Sequence, residues 1–465
     1  LAEVLWNCDH IYLYRIGRDS LGCPCHRADG IPMSAELKAI AGAVMTAAKA
    51  AGATVAEVTV TRGTSVSMSV RGGALEEALR EEGVDVGLRV LQGHRQASVA
   101  ASDTSPATLA ALAERVVAMA AEAPEDPHVG LAEPDELASS LDTTALDLVD
   151  PSEPPDPDQL AEFARAAEAA ALNHPKITQV SDAAAGVGTR QAYLLSTNGF
   201  EASTQRTSYN AVCSAVAGEG TAMETDYAYE NRTHFEDMPS PDSIGALAAE
   251  RTAAALGAQK PPTGAFPVVF DERVAGSLSG HILSAINGSA ITRGASWLMD
   301  GLGTRVLPNG RDATEDPHRP RVFQSRVFDG EGLPTVKRLL VADGILKSYI
   351  LDLATARKLG LESTANAARR VGSAPAPSAG NVALTQGSHS RAELLAEMGE
   401  GLLITSMIGS TINPNTGDYS RGASGFWVRN GEICEPVNEC TIAGNLKDML
   451  LSITPANDAR PHISR

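Results

Sequence analysis

Apolar residues recur along this chain with two periods, and the switches between them mark its elements. After Ser34, the residues Leu37, Ile40, Val44 and Ala47/Ala48 share one helical stripe that stops at Gly52, predicting an amphipathic helix capped by Ser34. The period then drops to two. Val55–Thr61 leads to Arg62-Gly63, Ser65–Val70 leads to Arg71-Gly72-Gly73, and Val84–Leu91 leads to a turn at Gly93–Gln96, with a further strand over Gln96–Ala101. Ser105-Pro106 then opens a helix running to about Glu122, serine at the cap and proline at the first helical position. Helix, three or four strands and helix predict an α+β unit on an antiparallel sheet.

Residues 123–158 are rich in Pro, Asp and Glu and read as a surface connection. Asp156-Pro157 with Gln159 forms a capping box for a helix that turns Leu160, Phe163 and Ala167 inward. Strand-like segments follow at 177–183, 189–196, 200–209 and 211–219, then a helix from Ser240-Pro241 to Gly257 and a soft boundary at Lys260-Pro261-Pro262. Beyond it, Phe266–Phe270 reads as a strand and Asp271 caps a helix with Val274, Leu278, Ile282 and Ala285 on one face. Hairpins are expected to turn at Asp343-Gly344 and Asn430-Gly431, and Ser390 and Glu393 box a helix ending at Gly399. The expected organisation is an N-terminal α+β domain over 33–260 and a C-terminal β-rich domain over 261–465. Residues 1–32 lack periodicity and read as an extension before Met33. Their Cys8, His10, Cys23, Cys25 and His26 do not follow zinc-ribbon or finger spacing.

Composition narrows the classes. Among 465 residues, 38 basic against 57 acidic side chains give a net charge of −19, which argues against nucleic acid and anionic membranes as partners. No apolar run reaches the roughly 18 residues of a membrane span. Six cysteines are too few for a disulfide scaffold, so a cytoplasmic setting is expected. With only 4% aromatic residues, cores must be built from Ala, Val, Leu and Ile.

Candidate chemistry is sparse. No two of the ten histidines lie at i, i+4 or i, i+5, so no helix face offers two imidazoles to a metal. Neither a phosphate loop nor G-x-S-x-G occurs. The densest polar stretch, Gly417–Gly425, reads as a glycine-rich turn or a loop contacting a peptide or partner, with Ser420 and Ser424 as conceivable nucleophiles. His281 lies beside Ile282 on a helix, where a lone imidazole is more often a packing residue than a catalyst.

The run Asp418-Tyr-Ser-Arg-Gly-Ala-Ser-Gly-Phe-Trp-Val-Arg-Asn-Gly-Glu-Ile, followed by Thr441-Ile-Ala-Gly-Asn-Leu-Lys-Asp-Met, resembles the C-terminal signature of the TldD/PmbA family, in its PmbA (TldE) branch. Gly280-His281, Leu298–Gly303, Phe328–Gly332, Ala356–Thr364, Val86–Val90 and Gly93–Gln96 match as well, so the likeness spans about Met33 to Ala459. The resemblance implies an α+β N-terminal domain, a β-rich C-terminal domain and a place in a cytosolic metalloprotease assembly. In that family the TldD-type subunit holds zinc with an H-E-x-x-x-H helix and a cysteine near the C-terminus, and cleaves unfolded peptides in a closed cavity. The corresponding helix here is Gly276–Ile286, with Gly280, His281 and Ala285 at the motif positions and no cysteine after Cys440. No catalytic residue and no metal site are therefore expected in this chain, and zinc is expected in a TldD-type partner, with heterodimer formation or self-association. His281, Asp418, Tyr419, Ser420 and Arg421 become candidates for contact with an unfolded peptide or the partner. An independent hydrolase using Ser420 or Ser424 and a regulatory peptide-binding protein are the alternatives.

Overall fold

The structure, a computed structural model, describes residues 33–458; the 1–32 extension and its cysteine–histidine pattern lie outside them. Helix α1 (Met33–Ala50) leads into three strands, β1 (Val55–Arg71), β2 (Ala74–Gln92) and β3 (Arg95–Ala101), and then α2 (Pro106–Glu122). After the connection come α3 (Pro157–Leu172), β4 (Ile177–Ser196), β5 (Glu201–Ala217), β6 (Glu224–Arg232) and α4 (Pro241–Ala254). All six strands form one antiparallel sheet in the order β3-β2-β1-β4-β5-β6.

The expected breaks inside these strands do not occur. Arg62-Gly63 was expected to end a strand, yet β1 runs through it, because Gly63 pairs with Gly83 on one side and Arg190 on the other. The four segments expected between 177 and 219 are likewise two long strands, and β6 was not foreseen. Caps fared better, being local, except at Ser34, which lies inside α1 and not at its cap because the helix already includes Met33. Ser105 accepts from the Thr108 amide, and Asp156 and Gln159 form their capping box. The 123–158 connection has few elements of its own but is not all surface: Val129, Ala132, Leu146, Leu148 and Asp150 are buried.

Strand alternation divides this sheet into two unlike faces. Val58, Val60, Val86 and Leu88 pack beneath α1 and α2, while Ala183, Ala185, Tyr209, Ala211 and Cys213 pack beneath α3 and α4. Gly245 lets α3 and α4 close up, since a Cβ there would sit 2.0 Å from the Ala167 carbonyl oxygen. The opposite face carries Glu57, Thr59, Thr61 and Arg89, and the C-terminal half lies against part of it: Phe200 meets Phe328 edge-on at 5.2 Å, and Arg206 donates to the Ser325 carbonyl at 2.8 Å.

The C-terminal half begins with β7 (Val268–Phe270), α5 (Glu272–Ala285) and α6 (Gly288–Thr292). Short strands follow: β8 (Ala313–Glu315), β9 (Arg338–Ala342) and β10 (Ile345–Leu346), then α7 (Leu353–Leu359), β11 (Ala367–Ala368), β12 (Ala376–Pro377), β13 (Val382–Leu384) and α8 (Arg391–Met398). The chain finishes with β14 (Gly401–Ile412), β15 (Asp418–Arg429), β16 (Glu432–Asn445) and α9 (Leu446–Leu451). Two four-stranded sheets result, β10-β9-β8-β13 and β16-β15-β14-β7, in which β7 is parallel to β14. The fold is α+β. Both expected hairpin turns are present, but Gly417–Gly425 is not a loop. It lies largely within β15, where glycine serves close packing: a Cβ at Gly425 would meet the Leu403 carbonyl at 2.0 Å. Among the described residues no helix is long and apolar enough to cross a membrane.

Glu57 ties the halves together. It accepts from Arg89 Nη1 and Arg369 Nη2, each at 2.5 Å, with all three side chains at most 7% exposed. Glu57→Ala would leave two buried guanidinium ions facing each other, and should cost about 3–5 kcal/mol in a denaturation curve. Removing Glu36, half-exposed in its pair with Arg62, should cost less than about 1 kcal/mol by the same measurement. Equal losses would show that the buried triad does not hold the joint.

Candidate functional site

Helix α5 starts where β7 ends, and one residue sets that corner. The Asp271 amide donates to the Ile404 carbonyl at 2.9 Å, while its carboxylate caps the helix at the Arg273 amide and accepts from Arg391 Nη1 at 2.8 Å. The helix then buries Val274, Leu278, Ile282 and Ala285. Its other side is bare: a Cβ at Gly276 or Gly280 would meet nothing within 4 Å.

His281 sits between these two sides, half-buried. Its ring packs edge-on against Tyr419 with centroids 5.7 Å apart, and its Nε2 is buried without a hydrogen-bond partner. Strand period places Tyr419 and Arg421 on one face of β15 and Asp418 and Ser420 on the other. Three of the five sequence candidates, His281, Tyr419 and Arg421, therefore come together. Tyr419 donates to Met407 Sδ at 3.2 Å, and Arg421 Nε to the Gly409 carbonyl at 2.7 Å. Burial, with the Arg421 cation as the smaller cause, holds the His281 imidazole below its ordinary range. Burial also raises the Tyr419 hydroxyl. Asp418 has a different task. Its exposed carboxylate accepts from Thr416 Oγ1 at 2.6 Å and Asn445 Nδ2 at 3.0 Å, organising the turn before β15. Ser420, on the far face, and Ser424, in β15 opposite Ser406, give His281 no hydroxyl partner, so no serine–histidine pair forms there.

Zinc does not fit this helix. Gly280 has no donor atom, Ala285 is packed in a core with Ile282 and Ile286, and His281 is a single imidazole. Among the described residues no three His, Cys, Asp or Glu side chains are grouped to hold a metal ion.

Beside the bare side of α5 lies a groove of about 1630 Å³. Strand β7 forms one wall and β13 another, and each is the outer strand of its sheet. Gly276, Ser279 and Arg391 also line it. The sequence reading placed a strand at Phe266–Phe270 but none at 382–384, and it missed the groove because only the tertiary fold brings 268–270 near 382–384.

Family models describe three stretches of the chain: the PmbA/TldA metallopeptidase domain 1 over residues 56–120, the central domain over 150–256 and the C-terminal domain over 263–464. The chain is 36% identical over 405 residues to the metalloprotease PmbA of Escherichia coli O157:H7, covering 87% of each chain. To the PmbA homolog of Haemophilus influenzae it is 35% identical, covering 92% of each. Among solved structures it superposes with a TM-score of 0.83 and 27% identity on a Bacteroides thetaiotaomicron protein described as a candidate modulator of DNA gyrase, covering 91% of this chain and 94% of that one. The chain belongs to the PmbA/TldD family of metallopeptidases.

The depressed His281 predicts a definite pH effect. An unfolded histidine binds its proton near pH 6.5, whereas the folded site resists it. As pH falls below about 6.5 the unfolded state takes up the proton first, so this residue removes stability on acidification and none above that pH. Arg421→Gln should move the imidazole midpoint, read by NMR titration, upward. An unmoved midpoint would mean that Arg421 contributes nothing and burial acts alone.

Proposed function

We propose that this member of the PmbA/TldD family is the zinc-less, peptide-holding subunit of a peptidase assembly whose zinc and cleavage chemistry belong to a TldD-type partner. The observation that carries the reading is the groove alongside α5. It combines two sheet edges, whose backbone groups can pair with an extended chain, with a helix that carries glycine and alanine, Gly280 and Ala285, at two positions where the family resemblance would place zinc ligands. Its volume exceeds the roughly 300–1,000 Å³ of ordinary small-molecule sites, which suits several residues of unfolded peptide. A compact domain cannot present a free strand to such an edge, so selectivity for unfolded chains follows from the mode of binding. His281, Tyr419 and Arg421 do not line this groove; in this reading they are contacts for the partner, and no group of this chain performs catalysis.

The test is coexpression with a zinc-bearing TldD-type relative in a cytoplasmic host. Zinc content and cleavage of an unstructured peptide are then measured for each subunit and for the pair. The lone chain should hold no stoichiometric zinc and cleave nothing, and the pair should do both; zinc and cleavage in the lone chain would overturn the reading. A second measurement addresses the groove. Gly276→Trp projects into open space, so it should leave pairing and partner zinc intact and gain no more than about 0.5 kcal/mol of helix stability, tryptophan being a moderately better helix former than glycine. Peptide cleavage by the pair should nevertheless fall at least tenfold. Unchanged cleavage would show that peptide does not pass along α5.

A further inference from the structure

The joint at Glu57 holds a further feature, on the sheet face opposite the core beneath α1 and α2. Both guanidinium groups reach the same carboxylate oxygen: Arg89 Nη1 and Arg369 Nη2 each donate to Glu57 Oε2 at 2.5 Å. Beside them is a cavity of about 10 Å³, lined by Glu57, Thr59, Arg89, Ser98, Arg369 and Arg370 among others. Strand register builds its floor. Glu57 pairs with Arg89 and Thr59 with Gly87 across β1 and β2, and Arg89 pairs with Ser98 across β2 and β3. Segment 369–372 closes over Gly87, where an added Cβ would sit 2.7 Å from the Gly372 amide nitrogen. The cavity therefore exists only while the two halves are docked.

Two groups at this cavity lack the partner that burial calls for. Thr59 Oγ1 and Arg369 Nε have no hydrogen-bond partner among the described residues, although both side chains are at most 7% exposed. A guanidinium nitrogen can only donate and a hydroxyl can donate, so one acceptor would satisfy both. Charge favours an acceptor that is an anion. Glu57 is the one carboxylate among the described residues lining the cavity, against the cations of Arg89 and Arg369. Arg370 lines it too and has interactions of its own, so the excess rests on the first two. Two further acids lie in this region. Glu331 is within electrostatic reach of Glu57, but burial pushes its carboxyl up to about 8, which leaves it mostly uncharged at neutral pH. Asp329, beside Glu331, accepts from the Glu331, Leu333 and Ala367 amides. The space matches one particle about the size of a water, which excludes phosphate, sulfate and any carboxylate.

We propose that this cavity binds one halide-sized anion, held by Thr59 Oγ1 and Arg369 Nε, which locks the C-terminal half onto the sheet. The site is independent of zinc and of peptide in the α5 groove, because its readout is stability and ion binding of the full-length chain alone. Melting would be followed at fixed ionic strength with chloride replaced stepwise by gluconate, an anion too large for the cavity. The melting temperature should rise with chloride and level off, as saturable binding to the folded state requires. Thr59→Val keeps the branched shape and removes the hydroxyl, so it should weaken the apparent chloride affinity at least tenfold. Crystals of the wild type soaked in bromide should give one anomalous peak within hydrogen-bond reach of Thr59 Oγ1 and Arg369 Nε, a measurement that stands even if the variant fails to fold. No chloride dependence in the wild type, or the same dependence in wild type and Thr59→Val, overturns the proposal. A water in place of bromide at that position does so as well.

Discussion

Glu57 holds one negative charge between two guanidinium groups that come from opposite halves of the molecule. Each ion has left water at considerable cost, and only their mutual placement offsets it. The joint must therefore be made in full or not at all. Its geometry is tight around the ions as well. Gly372 has φ +78°, and a Cβ on it would come within 2.6 Å of Ala100 Cβ; a Cβ on Gly87 would come within 2.7 Å of the Gly372 amide nitrogen. Backbone against backbone, charge against charge, the 369–372 segment can sit on the sheet in one register. The contacts of Arg206 with Ser325 and Phe323, and of Phe200 with Phe328, depend on that register being kept.

The same triad explains why a sheet with four helices on one face leaves the other polar. Helices cover Val58, Val60 and their neighbours, so the alternate positions Glu57, Thr59, Thr61, Gly63 and Ser65 face away from that core. Read along the chain, a run such as Arg62-Gly63-Thr64-Ser65 signals a turn, because glycine and small polar residues are the usual punctuation. In three dimensions it is the middle of a 17-residue strand, held by partners on both sides. Gly422 and Gly425 mislead in the same way. Capping boxes at Asp156 and Ser390, by contrast, involve residues three apart and were legible directly.

The C-terminal half shows a further limit of pattern reading. Much of it lacks long regular elements, so its backbone amides need other acceptors. Asp329 accepts from the Glu331, Leu333 and Ala367 amides, and Glu331 from the Leu353 amide. Burial, with the Asp329 charge beside it, pushes the Glu331 carboxyl up to about 8. The folded state thus keeps a proton that the unfolded chain releases near pH 4.5, so this group's contribution falls as pH rises from there toward 8. Phe328-Asp-Gly-Glu-Gly carries no periodicity that announces such a role. Only a resemblance singled it out, and the resemblance supplied no reason.

The His281 neighbourhood and the cross-strand pair Arg190–Arg206 differ in legibility for a physical cause. Gly280, His281 and Ala285 lie on one helix, so the family resemblance could set them against a motif position by position, and Tyr419 and Arg421 belong to a contiguous strand. Arg190 and Arg206 are 16 residues apart and meet only because β4 and β5 pair without a register shift between Val180/Asp182 and the far end of the ladder. Sliding that register by one residue would carry Arg206 to the helix-covered face. The apolar set Tyr209, Ala211 and Cys213 would move the opposite way, into the polar face. Burial of those side chains therefore fixes the cross-strand pairing of the two arginines, and their repulsion is tolerated because the core beneath the helices outweighs it. An arrangement that the core enforces could still be relieved by replacing either arginine, a single change that leaves the core alone.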